Sequence, residues 1–140
     1  MRKLVVDASV CIKWAFNEEG SEMARQMLQD YRDNKILLVS PDLWEYEITN
    51  VLASAVKRKK ISSTQSFNFL ELFLESKPEM VSISDILNHC LENAQKYEIS
   101  AYDSAYVTLA KENNMVLISA DDKLVAKVNN PKIAILLRDY

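Results

Sequence analysis

The chain is poor in the residues that build irregular structure. It has one glycine and three prolines in 140 residues. A glycine-rich phosphate loop, a collagen-like repeat and a turn-dense β-sandwich all fit that composition badly. A single glycine, Gly20, also implies regular elements joined by short connections rather than long lids. Cysteine is scarce: Cys11 and Cys90 lie far apart with no CxxC spacing, which argues against a disulfide framework or a structural zinc site. The one histidine, His89, belongs to no Ser-His-Asp, Cys-His or His-rich pattern. Positive charge is not in excess. The net charge is −3, which removes the simplest sign of a nucleic-acid binder but leaves room for an enzyme that holds nucleic acid through metal ions. No apolar run reaches membrane-spanning length, and the N-terminal MRKLVVDAS has too short an apolar stretch for a signal peptide. These absences lead us to expect a soluble protein of a reducing cytoplasm.

What is present is ordinary globular material, 49% hydrophobic and 26% charged, enough for one domain over residues 1–140 with one sizeable core. Four short apolar runs stand out: Leu4–Val6, Ile36–Val39, Met115–Ile118 and Ile133–Leu136. None alternates polar with apolar, so each reads as a strand buried on both faces. Met80–Ile83 is a weaker candidate. Helical patterns lie between them. Ser9–Phe16 suits a short helix, and Glu18–Asn34 carries Met23, Ala24, Met27, Leu28 and Tyr31 at helical spacing. Ser40-Pro41 reads as an N-cap with a first-turn proline, opening a helix to about Lys59. Ser62-x-x-Gln65 is a capping box. Further helices are expected over Asp85–Tyr97, from Ser100 to Lys111, and over Asp122–Val128. Strands alternating with helices give an α/β class, a doubly wound three-layer α/β/α domain around a central parallel sheet. In such sheets ligands bind beyond the carboxyl ends of the strands.

Acids sit at those ends. Asp7 closes the first run. Ser119-Ala120-Asp121-Asp122 follows Met115–Ile118. Asp103 falls in the first turn of its helix, between Tyr102 and Tyr106. Glu47 shares a polar helix face with Asn50 and Ser54. Taken singly, an acid at a helix start is an ordinary cap, but Glu47 lies beside Ile48 and Val51 and resists that explanation. Converging carboxylates repel and raise one another's pKa, and a divalent cation removes the penalty. An all-oxygen donor set suits Mg²⁺ or Mn²⁺, ions that polarise phosphoryl oxygens and acidify water. The basic run Lys57-Arg58-Lys59-Lys60 complements a helix C-terminus and also suits an RNA backbone.

Four segments, VVDASVCIKW, PDLWEYEITNVL, SAYDSAYVTLA and VLISADDKL, in this order and spacing, resemble a PIN domain, specifically a VapC-type toxin of bacterial and archaeal toxin–antitoxin pairs. The resemblance spans nearly the whole chain. It puts the family's acids on Asp7, Glu47, Asp103 and Asp121, with Asn50 three residues after the glutamate. Asp122 is an extra acid. The resemblance implies a Mg²⁺-dependent ribonuclease inhibited by a small antitoxin protein, and a homodimer. Asp7 and Asp103 would bind the principal metal with Asp121 alongside. Glu47 would hold a water on the metal or a second ion, and Asn50 and Ser119 would orient carboxylates or phosphate. Lys13, Lys57, Arg58, Lys59 and Lys123 are the cations expected near the RNA.

Three other readings compete, and one of them, a phosphatase of the DxD type, would want a second Asp where Ser9 stands. A phosphoryl-receiver signalling domain has an acidic pocket on a similar sheet but wants its acid pair after the first strand; here the pair follows a late one. A PIN-like scaffold that only binds a protein partner would have no need to keep all four acids.

Overall fold

The computed structural model describes residues 1–140. Five strands, β1 (Arg2–Val6), β2 (Ile36–Pro41), β3 (Glu79–Val81), β4 (Val116–Ser119) and β5 (Ala134–Leu136), form one sheet in the order β3-β2-β1-β4-β5. Every pairing is parallel. Seven helices connect them: α1 (Ala8–Cys11), α2 (Ser21–Arg32), α3 (Trp44–Lys57), α4 (Ser63–Glu75), α5 (Leu87–Tyr97), α6 (Ala101–Glu112) and α7 (Asp122–Val128). The chain winds outward from β1 through β2 to β3, then crosses back to β4 and β5. Right-handed crossovers therefore put the helices of the first two connections on one face and those of the last two on the other. This is the three-layer α/β/α arrangement expected from the apolar runs. The direction of winding reverses between β1 and β4, the position at which such sheets bind ligands.

Leu4, Val5 and Val6 of β1 and Leu117 and Ile118 of β4 are essentially inaccessible to solvent, as central strands of a covered parallel sheet must be. Trp44, at the start of α3, is fully buried, and its indole N–H donates to Cys11 Sγ at 3.3 Å. That contact locks α3 against α1. Cys11 and Cys90 are both buried and unpaired.

The structure corrects two local expectations. Ser40-Pro41 does not open a helix. Ser40 pairs with Met80 and Pro41 with Val81, so both belong to β2. Ser40 Oγ donates to the Val6 carbonyl at 2.5 Å, and α3 starts at Trp44 with no side-chain cap. Strand pairing outweighs the local cap, and proline is tolerated because the β1 register ends at Val39, so Pro41 has a ladder neighbour only on the β3 side. Likewise Ser9–Phe16 is not one helix: α1 tightens into a 3₁₀ turn over Ile12–Trp14. The Ser62–Gln65 capping box forms in full.

The scarcity of glycine leaves a mark on the helix ends. Gly20 takes φ +86° before α2, but five other left-handed positions fall to Asn34, Lys59, Glu98, Asn114 and Asn129. Asparagine tolerates this conformation; Lys and Glu carry a Cβ penalty of about 1 kcal/mol. Glu98→Gly is therefore expected to raise the unfolding free energy by about 1 kcal/mol. Urea denaturation reads this directly, and an unchanged or lower midpoint would contradict it.

Candidate active site

Asp7 leaves β1 and caps α1. Its Oδ1 accepts from the backbone N–H of Ser9 at 3.0 Å and of Val10 at 3.4 Å, and from the Ser9 hydroxyl. The Ser119 hydroxyl at the end of β4 supports the same carboxylate. Yet Asp7 is only 7% exposed. Burial disfavours its charge more than these donors favour it, and Asp103 adds repulsion, so its pKa is pushed up to about 6. Ser9 Oγ also accepts from the Ala120 N–H at 3.1 Å, tying the ends of β1 and β4 together beneath the acid.

Asp121 caps α7 in the same manner, accepting from Lys123 N at 3.0 Å and Leu124 N at 3.2 Å, while its own N–H donates to Ser119 Oγ. Asp103 lies in the first turn of α6, where its N–H meets the Ser100 N-cap hydroxyl at 3.0 Å. Burial raises its pKa and Asp121 adds to the rise; Ser100 and Lys127 oppose it. Glu47 projects from the first turn of α3 and accepts from the Tyr106 hydroxyl at 2.6 Å. Burial lifts its pKa, the Tyr106 hydrogen bond opposes that, and the charges of Asp7 and Asp103 reinforce it. Tyr106 is itself held far above the usual phenol range, by burial and then by Glu47.

Four segments remote in sequence thus bring acids within electrostatic range of one another: Glu47 feels Asp7 and Asp103, Asp7 feels Asp103, and Asp103 feels Asp121. Glu47, Asn50 and Asp103 line a cleft of about 560 Å³ with Ser9, Tyr46 and Tyr102. The coupling runs pairwise, and no three acids form a ready-made metal cage. Mg²⁺ does not require one, because it commonly takes one or two carboxylates and completes its octahedron with water. All-oxygen donors whose charge is costly in the absence of a cation fit a hard divalent ion.

The remaining expected residues divide. Asp122 is exposed and pairs with Arg138 at 3.3 Å, apart from the coupled acids. Lys13 is bound up in a local loop, 3.1 Å from Glu18 Oε1 and 2.6 Å from the Glu19 carbonyl. Lys57 and Lys59 are exposed near the C-terminus of α3, and Lys123 is exposed on α7. Arg58 lines a second cleft, of about 330 Å³, with Lys60 and Ser54. His89 pairs with Glu112 at 2.6 Å across α5 and α6. Sequence reasoning missed Tyr106 as the partner of Glu47. Its inward position three residues after Asp103 was the available signal, and it reads equally well as core.

Comparison with known proteins agrees with this fold. The PIN domain family model matches residues 4–130. Ribonuclease VapC3 of Pyrobaculum aerophilum is 31% identical over 127 residues, covering 89% of this chain and 94% of that protein. Among solved structures, PAE2754 from Pyrobaculum aerophilum superposes with a TM-score of 0.73 at 22% identity, over 99% of this chain and 92% of that one. A toxin–antitoxin complex from Klebsiella pneumoniae contains a chain of TM-score 0.67 at 16% identity, over 96% and 97%. Sheet order, the ends of β1 and β4, and the sequence match converge: the chain belongs to the PIN domain family, as a VapC-type member.

Proposed function

We propose that this protein is a Mg²⁺-dependent endoribonuclease, the toxin of a toxin–antitoxin pair. The observation that carries the reading is the electrostatic coupling of Asp7, Glu47, Asp103 and Asp121 at the ends of β1 and β4. The similarity to a ribonuclease VapC3 and to a chain of a toxin–antitoxin complex supports it. The whole chain, 1–140, acts as one PIN domain in the cytoplasm.

Asp7 and Asp103 would hold the principal ion, with Asp121 alongside and Glu47 nearby. When bound, Mg²⁺ (or Mn²⁺) neutralises phosphate charge and acidifies water. Glu47, oriented by Tyr106, orients the attacking water and accepts its proton. Ser119 fixes the Asp7 carboxylate from behind, and Asn50 faces the scissile phosphate from α3. Arg58, with Lys57, Lys59 and Lys123 further out, meets the RNA backbone. Lys13, already neutralised by Glu18, contributes little.

Asp7→Asn and Asp103→Asn are each expected to abolish Mg²⁺-dependent RNA cleavage. Each also relieves repulsion, so melting temperature in EDTA should stay level or rise. Full activity in either folded variant would reject the site.

Asp7 further predicts a pH dependence in EDTA. Its folded pKa of about 6 lies above the ordinary 3.8, so the folded state binds the proton more tightly. Stability should therefore fall as pH rises from about 4 to about 6, by about 3 kcal/mol from Asp7. Glu47 and Asp103 shift in the same direction. The difference in unfolding free energy between wild type and Asp7→Asn isolates the effect: it should grow across that window and level off above it. A constant difference would contradict the assignment.

The protein should also self-associate. Phe67, Leu72 and Leu74 of α4 are exposed, more apolar surface than a solitary helix face tolerates. We expect a homodimer, with the antitoxin docking nearby. Light scattering at tens of micromolar should read twice the chain mass; a monomer would contradict this.

A further inference from the structure

The seam between α5 and α6 carries polar groups where a core is usually apolar. Ser104 and Thr108 of α6 are wholly buried, and Asn93 of α5 is nearly so. They form one continuous chain. Lys111 Nζ donates to Asn93 Oδ1 at 3.1 Å and to the Tyr97 hydroxyl at 3.2 Å. Asn93 Nδ2 donates to Thr108 Oγ1 at 2.8 Å. The Thr108 and Ser104 hydroxyls lie 3.4 Å apart, and Ser104 Oγ donates to the Cys90 carbonyl at 2.5 Å. Ser104, Thr108 and Lys111 share one stripe of α6, and Cys90, Asn93 and Tyr97 share the facing stripe of α5. None of the six lines the acidic cleft, yet the chain ends at Ser104, the residue after Asp103.

Stability alone does not call for this chain. An amide and two hydroxyls lose their hydration on burial, and hydrogen bonds between them do little more than offset that loss. An apolar seam of the same shape would hold the helices together about as well. Hydrogen bonds add direction. Apolar contact is non-directional and leaves α6 free to settle by small slides on β1, β2 and β4, against which it packs. Hydrogen bonds weaken steeply with misalignment, and a fully satisfied buried chain specifies one arrangement. Asp103 lies in the first turn of α6 and moves with that helix. The Ser100 hydroxyl meets its backbone N–H but does not set where α6 stands on α5. Ligand distances to a bound ion hold to within about 0.2 Å, so a small slide of α6 takes Asp103 out of place.

We propose that the Asn93–Thr108–Ser104 chain is a positioning device for Asp103. It fixes the register of α6 on α5 and so holds that carboxylate where it can share a divalent ion with Asp7. This rests on the metal-dependent ribonuclease reading above and adds three positioning residues, all acting through Asp103.

The test replaces both partners of the central hydrogen bond by apolar groups of similar shape, Asn93→Leu with Thr108→Val, in the full chain. Such a paired exchange should leave the urea midpoint near that of the parent. Calorimetry should then show Mg²⁺ binding several-fold more weakly. RNA cleavage should lose roughly tenfold or more in kcat, with KM for RNA within about twofold of the parent. Thr108→Ser, which keeps the hydroxyl, should match the parent in both readouts. Ser104→Ala removes the link nearest Asp103 and should repeat the loss on a smaller scale; it carries the test if the double variant does not fold.

Folded variants with parental Mg²⁺ affinity and kcat would reduce the chain to helix packing and overturn the proposal. So would a raised KM at unchanged kcat, or a Thr108→Ser protein as impaired as the double variant. A parent that binds Mg²⁺ but cleaves no RNA overturns the ribonuclease reading, while the Mg²⁺ affinities of the variants still decide the positioning of Asp103. A parent that neither binds Mg²⁺ nor cleaves overturns both.

Discussion

The arrangement depends on one costly act, the burial of a carboxylate at the end of the central strand. β1 is flanked by β2 and β4, and its last residues are sealed from water, so an acid immediately after Val6 has almost no access to solvent. Two backbone N–H groups of α1 and the hydroxyls of Ser9 and Ser119 partly compensate. They do not suffice, and the remaining penalty appears as a pKa near 6. Asp103 raises it further, and Glu47 and Asp103 are themselves shifted upward, mainly by burial. A site of this kind is strained electrostatically when empty of cations, and a bound cation would relieve that strain.

The same capping chemistry serves both fold and site. Asp7 and Asp121 each accept two N–H groups from the first turn of a short helix. Their side chains are thereby fixed at the ends of β1 and β4, where winding reverses. Asp103 is positioned by a serine cap rather than acting as one, and Glu47 by a buried phenol. A bare cap and a cap within a charged cluster look alike in isolation; the difference lies in what the second element brings near. Asp122 shows the converse. It is next to Asp121 in sequence, but as a first-turn residue of α7 it faces Arg138 and solvent.

Much of this was legible from the chain. Buried parallel strands advertise themselves as unbroken apolar runs, and Leu4–Val6 and Met115–Ile118 gave their positions and the acids that follow. β3 was faint because an edge strand of three residues, Glu79–Val81, buries little. Ser40-Pro41 was misleading because cap chemistry is local and the pairing of β2 with β3 is not. The Tyr106–Glu47 hydrogen bond spans 59 residues, and nothing in the spacing of either helix announces it. Helix starts with a reciprocal cap, such as Ser62–Gln65, were readable because the interaction is complete within four residues.

Proton release on Mg²⁺ binding tests the central claim most directly. Calorimetric titration of the metal-free protein at pH 6, in buffers of different ionisation enthalpy, counts the protons displaced per ion. With Asp7 half protonated at that pH, binding should expel about half a proton from it. The release should shrink towards zero at pH 8. Mg²⁺ binding without proton release at pH 6, or no Mg²⁺ binding at all, would contradict the account.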